Sequence, residues 1–370
     1  MTKPSDSSNW VEGDALIRNN GMAFGTPITP LRRDDIPELS QFLINGFGVP
    51  ANSDCFSHEV LLWKYFDGPG GPSEDSVSSL VARSAGKIVG HIGICPRRFI
   101  VSGDETPPVS TMHAIDWLVS AEHSGSGAFL MLKAFATCQT QYGVGGSAQA
   151  QDVFPKLGFE KKPKLEVLRK VLTPFHRLRS TGQGLLRKWA GTAKDIASVW
   201  RARTPPVQQT VELRQVSQFT QEIDCLQRKS SVRMVMCQRD HLLLNYFLRY
   251  PVSGFTGWTI HASGRLIGYA LLKITPHGRI QLGKIVDCWL DTEEQSCWQA
   301  VVAALIDRLR DLSADTVTCY ASTPSLNEAL LWSGFAKLGE RNVYVRDKNQ
   351  SLPSDLPFGF SMLEADHALL

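Results

Sequence analysis

The 370-residue chain has no CxxC pair and no His/Cys cluster at zinc spacing, which excludes the common structural zinc sites; no metal is expected. Its eight cysteines lie mostly inside apolar runs, where a thiol behaves as a small hydrophobe, and this usage fits a reducing compartment. No stretch reaches the roughly 18 apolar residues of a membrane span. The opening MTKPSDSSNWVEGDALIRNNG is polar and lacks the apolar segment of a secretory signal, so the expected location is cytoplasmic. Formal net charge is only +3, too small to call for nucleic acid. What the chain does have is 43% hydrophobic and 20% charged residues, a globular composition at a length suited to two domains.

The chain repeats itself. GKIVGHIGI (Gly86–Ile94) and GRLIGYALL (Gly264–Leu272) share a Gly-plus-basic turn and an apolar strand with an internal glycine. LLWKYF and LLLNYF precede them, AIDWLV and IVDCWL follow, and KLGF and WSGF come last. Gly90 to Gly268 is 178 positions and Gly158 to Gly334 is 176. Four matches in order at nearly constant offset predict two copies of one fold.

Each copy reads as mixed α/β, a sheet flanked by helices. ITPLRRDDIPEL predicts a strand, an Asp34 or Asp35 cap and a helix, and HEVLLWKYF a second helix. SLVARS, KIVGHIGICP, RRFIVSG and MHAIDWLVS read as strands, and GAFLMLKAFATCQTQYG as a helix. The expected divisions are an N-terminal extension (1–24), a first lobe (25–172), a basic linker (173–206), a second lobe (207–348) and a loosely held tail (349–370).

Between the strand AIDWLV and the following helix lies SAEHSGSGAF. A glycine turn at a helix start offers free N–H groups and the positive end of the helix dipole, which together suit a pyrophosphate; a flexible loop is the alternative. The order strand, Gly-turn, helix, strand, helix, LGF, strand resembles the GNAT superfamily of acyl-CoA-dependent acyltransferases. The resemblance covers roughly residues 28–172 and recurs more weakly over 211–345. It implies two tandem GNAT-like lobes and acetyl-CoA or another acyl-CoA as co-substrate. The pantetheine would lie beside Asp116, Trp117, Leu118 and Val119. The phosphates would face Ser124, Gly125, Ser126, Gly127, Ala128 and Phe129.

The chain departs from the family pattern Arg/Gln-x-x-Gly-x-Gly/Ala. In one register Ser124 replaces the basic residue; shifted by two, Glu122 does. The second copy has DTEEQSCW at this point, with no glycine and with Asp291, Glu293 and Glu294, so no CoA site is expected there. The tyrosine that many members place before LGF is Phe154 here and Leu330 in the second copy.

The candidate catalytic residues are Asp116 and His113. Resemblance makes Asp116 a base acting on the amine; hydrogen bonding to a neighbouring loop is the other reading. His113 and His91 read as base candidates or as satisfied core histidines. On a regular strand His113 and Asp116 would face opposite sides. Ser147 in GGSAQAQ is a helix N-cap candidate.

The linker carries seven cationic residues against Asp195, with Leu185, Trp189, Ile196 and Trp200 at helical spacing. It reads as an inter-lobe helix, or as a peripheral membrane contact through 184–203. The functional expectation is an N-acyltransferase acting on a small-molecule or sugar amine, with an amino sugar of surface polysaccharide as one acceptor. The alternatives are a non-catalytic binding protein of the same fold and a Fem-type aminoacyl transferase.

Overall fold

Two-residue turns set the frame of both lobes. β2 (Ser79–Ser84) and β3 (Lys87–Val101) are joined by Ala85 and Gly86, both at positive φ. β9 (Phe255–Ala262) and β10 (Arg265–His277) are joined in the same way by Ser263 and Gly264. Paired positive φ values match the twist of the flanking strands, so the repeated SG/AG dipeptides close equivalent hairpins. These are features of a computed structural model that describes residues 26–51, 53–69, 78–179, 192, 210–252, 254–365 and 368–369.

The first half continues the pattern. β1 (Ile28–Pro30) leads to α1 (Ile36–Phe47) and α2 (His58–Phe66). After the hairpin come β4 (Val109–Val119), α3 (Ser126–Phe135), β5 (Thr140–Val144), α4 (Ala148–Val153), β6 (Glu160–Val171) and the short α5 (His176–Arg179). The second half runs β7 (Val211–Val216), α6 (Asp224–Arg228), β8 (Val235–Cys237), α7 (His241–Leu248), β9, β10, β11 (Ile280–Leu290), α8 (Gln295–Asp311), β12 (Thr316–Ala321), α9 (Pro324–Trp332), β13 (Ala336–Asp347) and β14 (Phe358–Gly359). The basic stretch 184–203, assigned above to an inter-lobe helix or a membrane contact, lies outside the described residues apart from Thr192.

All of the main strands join one sheet in the order β1-β2-β3-β4-β5-β13-β6-β12-β11-β10-β9-β7. The closing strands of the two halves have traded places. β13, from the second half, pairs with β5 of the first, while β6 pairs with β12 of the second. The mixed α/β architecture with tandem lobes is as expected, and the exchange welds the lobes into a single sheet.

Three sequence expectations need correction. KIVGHIGICP and RRFIVSG form one strand, because Pro96 lies on a stretch of β3 whose far edge is open between β2, which ends its pairing at Gly93, and β8, which begins at Phe99. The helix expected through Gly143 stops at Phe135: Thr137 Oγ1 and Gln141 Nε2 both donate to the Ala134 carbonyl, and TQYGV becomes β5. The tail is not loose. Phe358, Phe360, Met362 and Leu363 are buried in the core between the lobes, and Ser361 and Glu364 close a capping box.

That inter-lobe core centres on a near-symmetric contact. Trp63 of α2 stacks on Tyr246 of α7 at 4.1 Å; the Trp63 indole donates to the Tyr246 carbonyl and the Tyr246 hydroxyl to the Trp63 carbonyl. A second core lies on the opposite face of the first lobe, where Leu130, Met131 and Ala134 of α3 meet Ile92, Ile94 and Met112.

Candidate active site

β4 changes face in its middle. His91 pairs with Leu118 and Gly93 with Ile115, so Asp116 and Trp117 together oppose Ile92. This is a β-bulge, and Asp116 takes a positive φ of 51° within it. Aspartate tolerates that region better than most residues. Met112, Ala114, Trp117 and Val119 consequently lie on the α3 side, while Ile115 and Leu118 lie on the α1/α2 side. The bulge also turns the Asp116 carboxylate toward α2. His113 and Asp116 therefore share one face, contrary to the alternation of a regular strand.

Asp116 is buried among partners. Its Oδ2 accepts from Lys64 Nζ at 2.7 Å and from the Tyr65 hydroxyl at 2.5 Å. Burial alone would raise this carboxyl, but the Lys64 ammonium and the Tyr65 hydroxyl outweigh it and hold it below the usual carboxylate range. The Asp116 carbonyl meets His91 Nδ1 at 2.9 Å, and His91 Nε2 meets Ser79 Oγ at 2.7 Å. Burial pushes His91 down to about 4, so it sits neutral in the core. Lys64 escaped the sequence reading, which gives Tyr65 only a packing role; the signal was their place in the repeated LLWKYF.

Beyond His113 the central strands part. β4 pairs with β5 at Met112–Gln141 and His113–Tyr142 and at no later position. The β5-facing edge of β4 from Ala114 to Val119 is left unpaired in the sheet. Trp117, Leu118 and Val119 at this edge are half-buried, and the Trp117 indole N–H is enclosed with no hydrogen-bond partner among the described residues. Phe154, at the place of the family's tyrosine, packs on Trp117, Phe159 and Tyr344 and carries no proton to give. Ser147 caps α4 as expected, accepting from Ala150 N–H at 3.2 Å.

The turn after β4 comprises Ala121–His123 in a 3-10 turn, then Ser124 and Gly125 at the mouth of α3. Gly125 has ordinary helical φ and ψ. Gly127 is buried, and a Cβ there would lie 3.3 Å from Val119 and 3.5 Å from Trp117. Its lack of a side chain lets the helix start lie against the open edge of β4. Ser124 and Ala128 are exposed, Ser126 and Phe129 half-buried, and no acid stands in the first turn of α3.

On the α2 face, a small cavity is lined by Trp63, Lys64, Arg97, His113, Tyr246 and the chain's own Leu369. It holds about 20 Å³, room for about one water. His113 stacks flat on Tyr142 at 4.7 Å; burial, and then the Arg97 charge, push it down to about 3. The C-terminal segment over this cleft is gripped by the second lobe. Lys273 Nζ donates to the carbonyls of Ala368 and Leu369 at 3.1 and 2.7 Å, and the Tyr250 hydroxyl to that of Leu369 at 3.2 Å.

In the second lobe β11 pairs with β12 only through Ile285–Cys319, so these strands part as well. Here, however, Val286 through Leu290 are all buried. Glu294 is the N-cap residue of α8, with Asp291 and Glu293 beside it.

The whole arrangement is similar to solved N-acyltransferases. A GCN5-related N-acetyltransferase from Anabaena variabilis matches with TM-score 0.57 and 12% identity, over 88% of this chain and 73% of that one. Saccharomyces cerevisiae N-myristoyltransferase with bound myristoyl-CoA matches with TM-score 0.56 and 10% identity, over 89% and 84%. Eis1 from Mycobacterium abscessus matches with TM-score 0.50 and 11% identity, over 87% and 73%. No protein-family model and no curated protein matches the sequence. With its parted central strands, its helix-opening turn and these structural likenesses, the chain has the fold of the GNAT acyltransferase superfamily.

Proposed function

We propose that this chain is an acyl-CoA-dependent N-acyltransferase whose donor site lies in the first lobe. The observation that carries the reading is the parting of β4 from β5 immediately after His113. An extended pantetheine arm can pair with the open β4 edge, as an added strand would. The enclosed Trp117 indole N–H offers a further donor beside it. The pyrophosphate would face the start of α3, where free N–H groups and the helix dipole favour an anion. No cationic side chain in register reinforces that end, so backbone donors carry the binding.

The amine approaches from the α2 face. Its lone pair attacks the thioester carbon, the nitrogen gives up a proton to water, the C–S bond breaks, and CoA leaves as a thiolate that takes a proton from water. Phe154 cannot supply that proton. In this reading Asp116 is a positioning residue: it fixes Lys64 and Tyr65 along the cleft. His113, neutral at physiological pH, accepts a hydrogen bond from the amine and orients it. Acceptors include small-molecule amines and amino sugars. A non-catalytic binder is the second reading, and Phe154 is the observation that favours it.

Calorimetry with acetyl-CoA and a long-chain acyl-CoA, on wild type and Gly127→Glu, tests the donor site. Micromolar binding to wild type, weakened more than about tenfold in the folded variant, is expected, since a carboxylate then stands at the helix start. A folded wild type that binds neither donor would sink the reading.

A further inference from the structure

The single sheet has two outer strands, and they are finished differently. β1 is three residues long, ends in Pro30 and follows Pro27, so it offers few backbone donors to a further strand. β7, at the other end, runs for six residues without proline or glycine. It pairs with β9 in unbroken register from Val211–Ala262 to Val216–Gly257, and among the described residues no strand pairs with its other edge. Such an edge presents a row of N–H and C=O groups able to template another strand.

The side chains of β7 indicate which strand fits. Glu212 and Arg214 are exposed on one face and hold each other by two hydrogen bonds, from Arg214 Nε to Glu212 Oε1 at 2.8 Å and from Nη2 to Oε2 at 2.7 Å. Val211 and Leu213 are half-buried on the other face, against the core that α8 covers. The order Val-Glu-Leu-Arg-Gln is its own complement about Leu213. When two such strands pair antiparallel around that point, Glu212 of each lies opposite Arg214 of the other, and Leu213 lies opposite Leu213. Moving the axis one residue either way sets Glu212 against Glu212 or Arg214 against Arg214. Charges on an edge strand ordinarily deter pairing. Here they deter the wrong registers and favour one.

We propose that β7 is a homodimer interface, on which a second molecule of this chain adds its own β7 antiparallel with the two-fold axis at Leu213. The occupant is a second copy because the edge complements itself, in charge on one face and in apolar contact on the other. Leu213 of each molecule carries the α8 core across the axis, and the sheet runs unbroken through both. The interface lies at the end of the sheet remote from β4 and β5, so the inference stands apart from the acyl-transfer reading.

Sedimentation velocity of the full chain over the micromolar range tests the proposal, and wild type is expected to run as a dimer. Glu212→Arg and Arg214→Glu each set like charges opposite one another at two places, and each should weaken the dimer about tenfold or more. The decisive sample is an equimolar mixture of the two variants. One then carries cations at both positions and the other carboxylates at both, so the mixed pair is complementary and dimerisation should return. Both changes lie on exposed side chains, and circular dichroism checks that each variant is folded. A wild type that stays monomeric, a dimer that neither variant weakens, or folded variants that remain monomeric when mixed would overturn the assignment.

Discussion

Asp116 in the first lobe and Asp287 in the second occupy matching places in AIDWLV and IVDCWL, and both are buried in ion pairs. Lys64 and Tyr65 hold the first; Arg239 and the Tyr269 hydroxyl hold the second. The repeated carboxylate thus serves the same structural end in each lobe, facing the same inter-lobe core. The lobes differ at the strand ends. Trp117 to Ser120 remain half-open before an uncharged helix start, whereas Val286 to Leu290 are sealed before Glu294. What the copies share marks packing, and what they do not share marks the proposed donor site.

The strongest way to break this comparison is to remove a partner from each buried pair. Lys64→Met and Arg239→Met should each cost about 3–5 kcal/mol, because buried carboxylates lose their cation. Urea unfolding measures it. If Lys64→Met were near neutral while Arg239→Met was costly, the two aspartates would not be equivalent.

Acid should act on the first lobe through His113 and His91; the counterpart of His91 in the second is Tyr269. The folded pKa of His91, about 4, lies below the ordinary 6.5. Between these values the unfolded chain binds the proton and the native one does not, so stability falls as pH falls. The loss from this residue approaches about 3 kcal/mol by pH 4. A urea series over this pH range should show the slope in wild type and a reduced slope in His91→Gln. An unchanged slope would place the acid sensitivity elsewhere.

The smallest effect sharpens the contrast between the turns. Ser124→Arg puts a cation beside the start of α3 and should tighten acyl-CoA about fivefold, an effect that salt screens. Glu294→Gln, at the corresponding helix of the second lobe, should leave acyl-CoA affinity unaltered in the same titration.

Much of the lobe architecture was legible because it depends on local rules. Apolar alternation marked the strands, and the paired Gly hairpins and repeated offsets marked two copies. The Ser147 cap was equally local. The overrun of α3 into β5 shows the limit: helix propensity over ATCQTQYG is overridden by the Thr137 and Gln141 side chains and by sheet pairing. The candidate site was legible only in part. A strict two-residue period put His113 and Asp116 on opposite faces, and a one-residue bulge reversed that.

By itself, the sequence determined the duplicated α/β lobes, the turn after the fourth strand and the acidic character of its second copy, all set by neighbours close along the chain. Only the tertiary structure decided that the closing strands exchange, that the tail fills the inter-lobe core and that Lys64 claims Asp116. Those outcomes join residues tens to hundreds of positions apart. Their energies come from which charges and apolar faces end up enclosed together, and no local pattern encodes that enclosure.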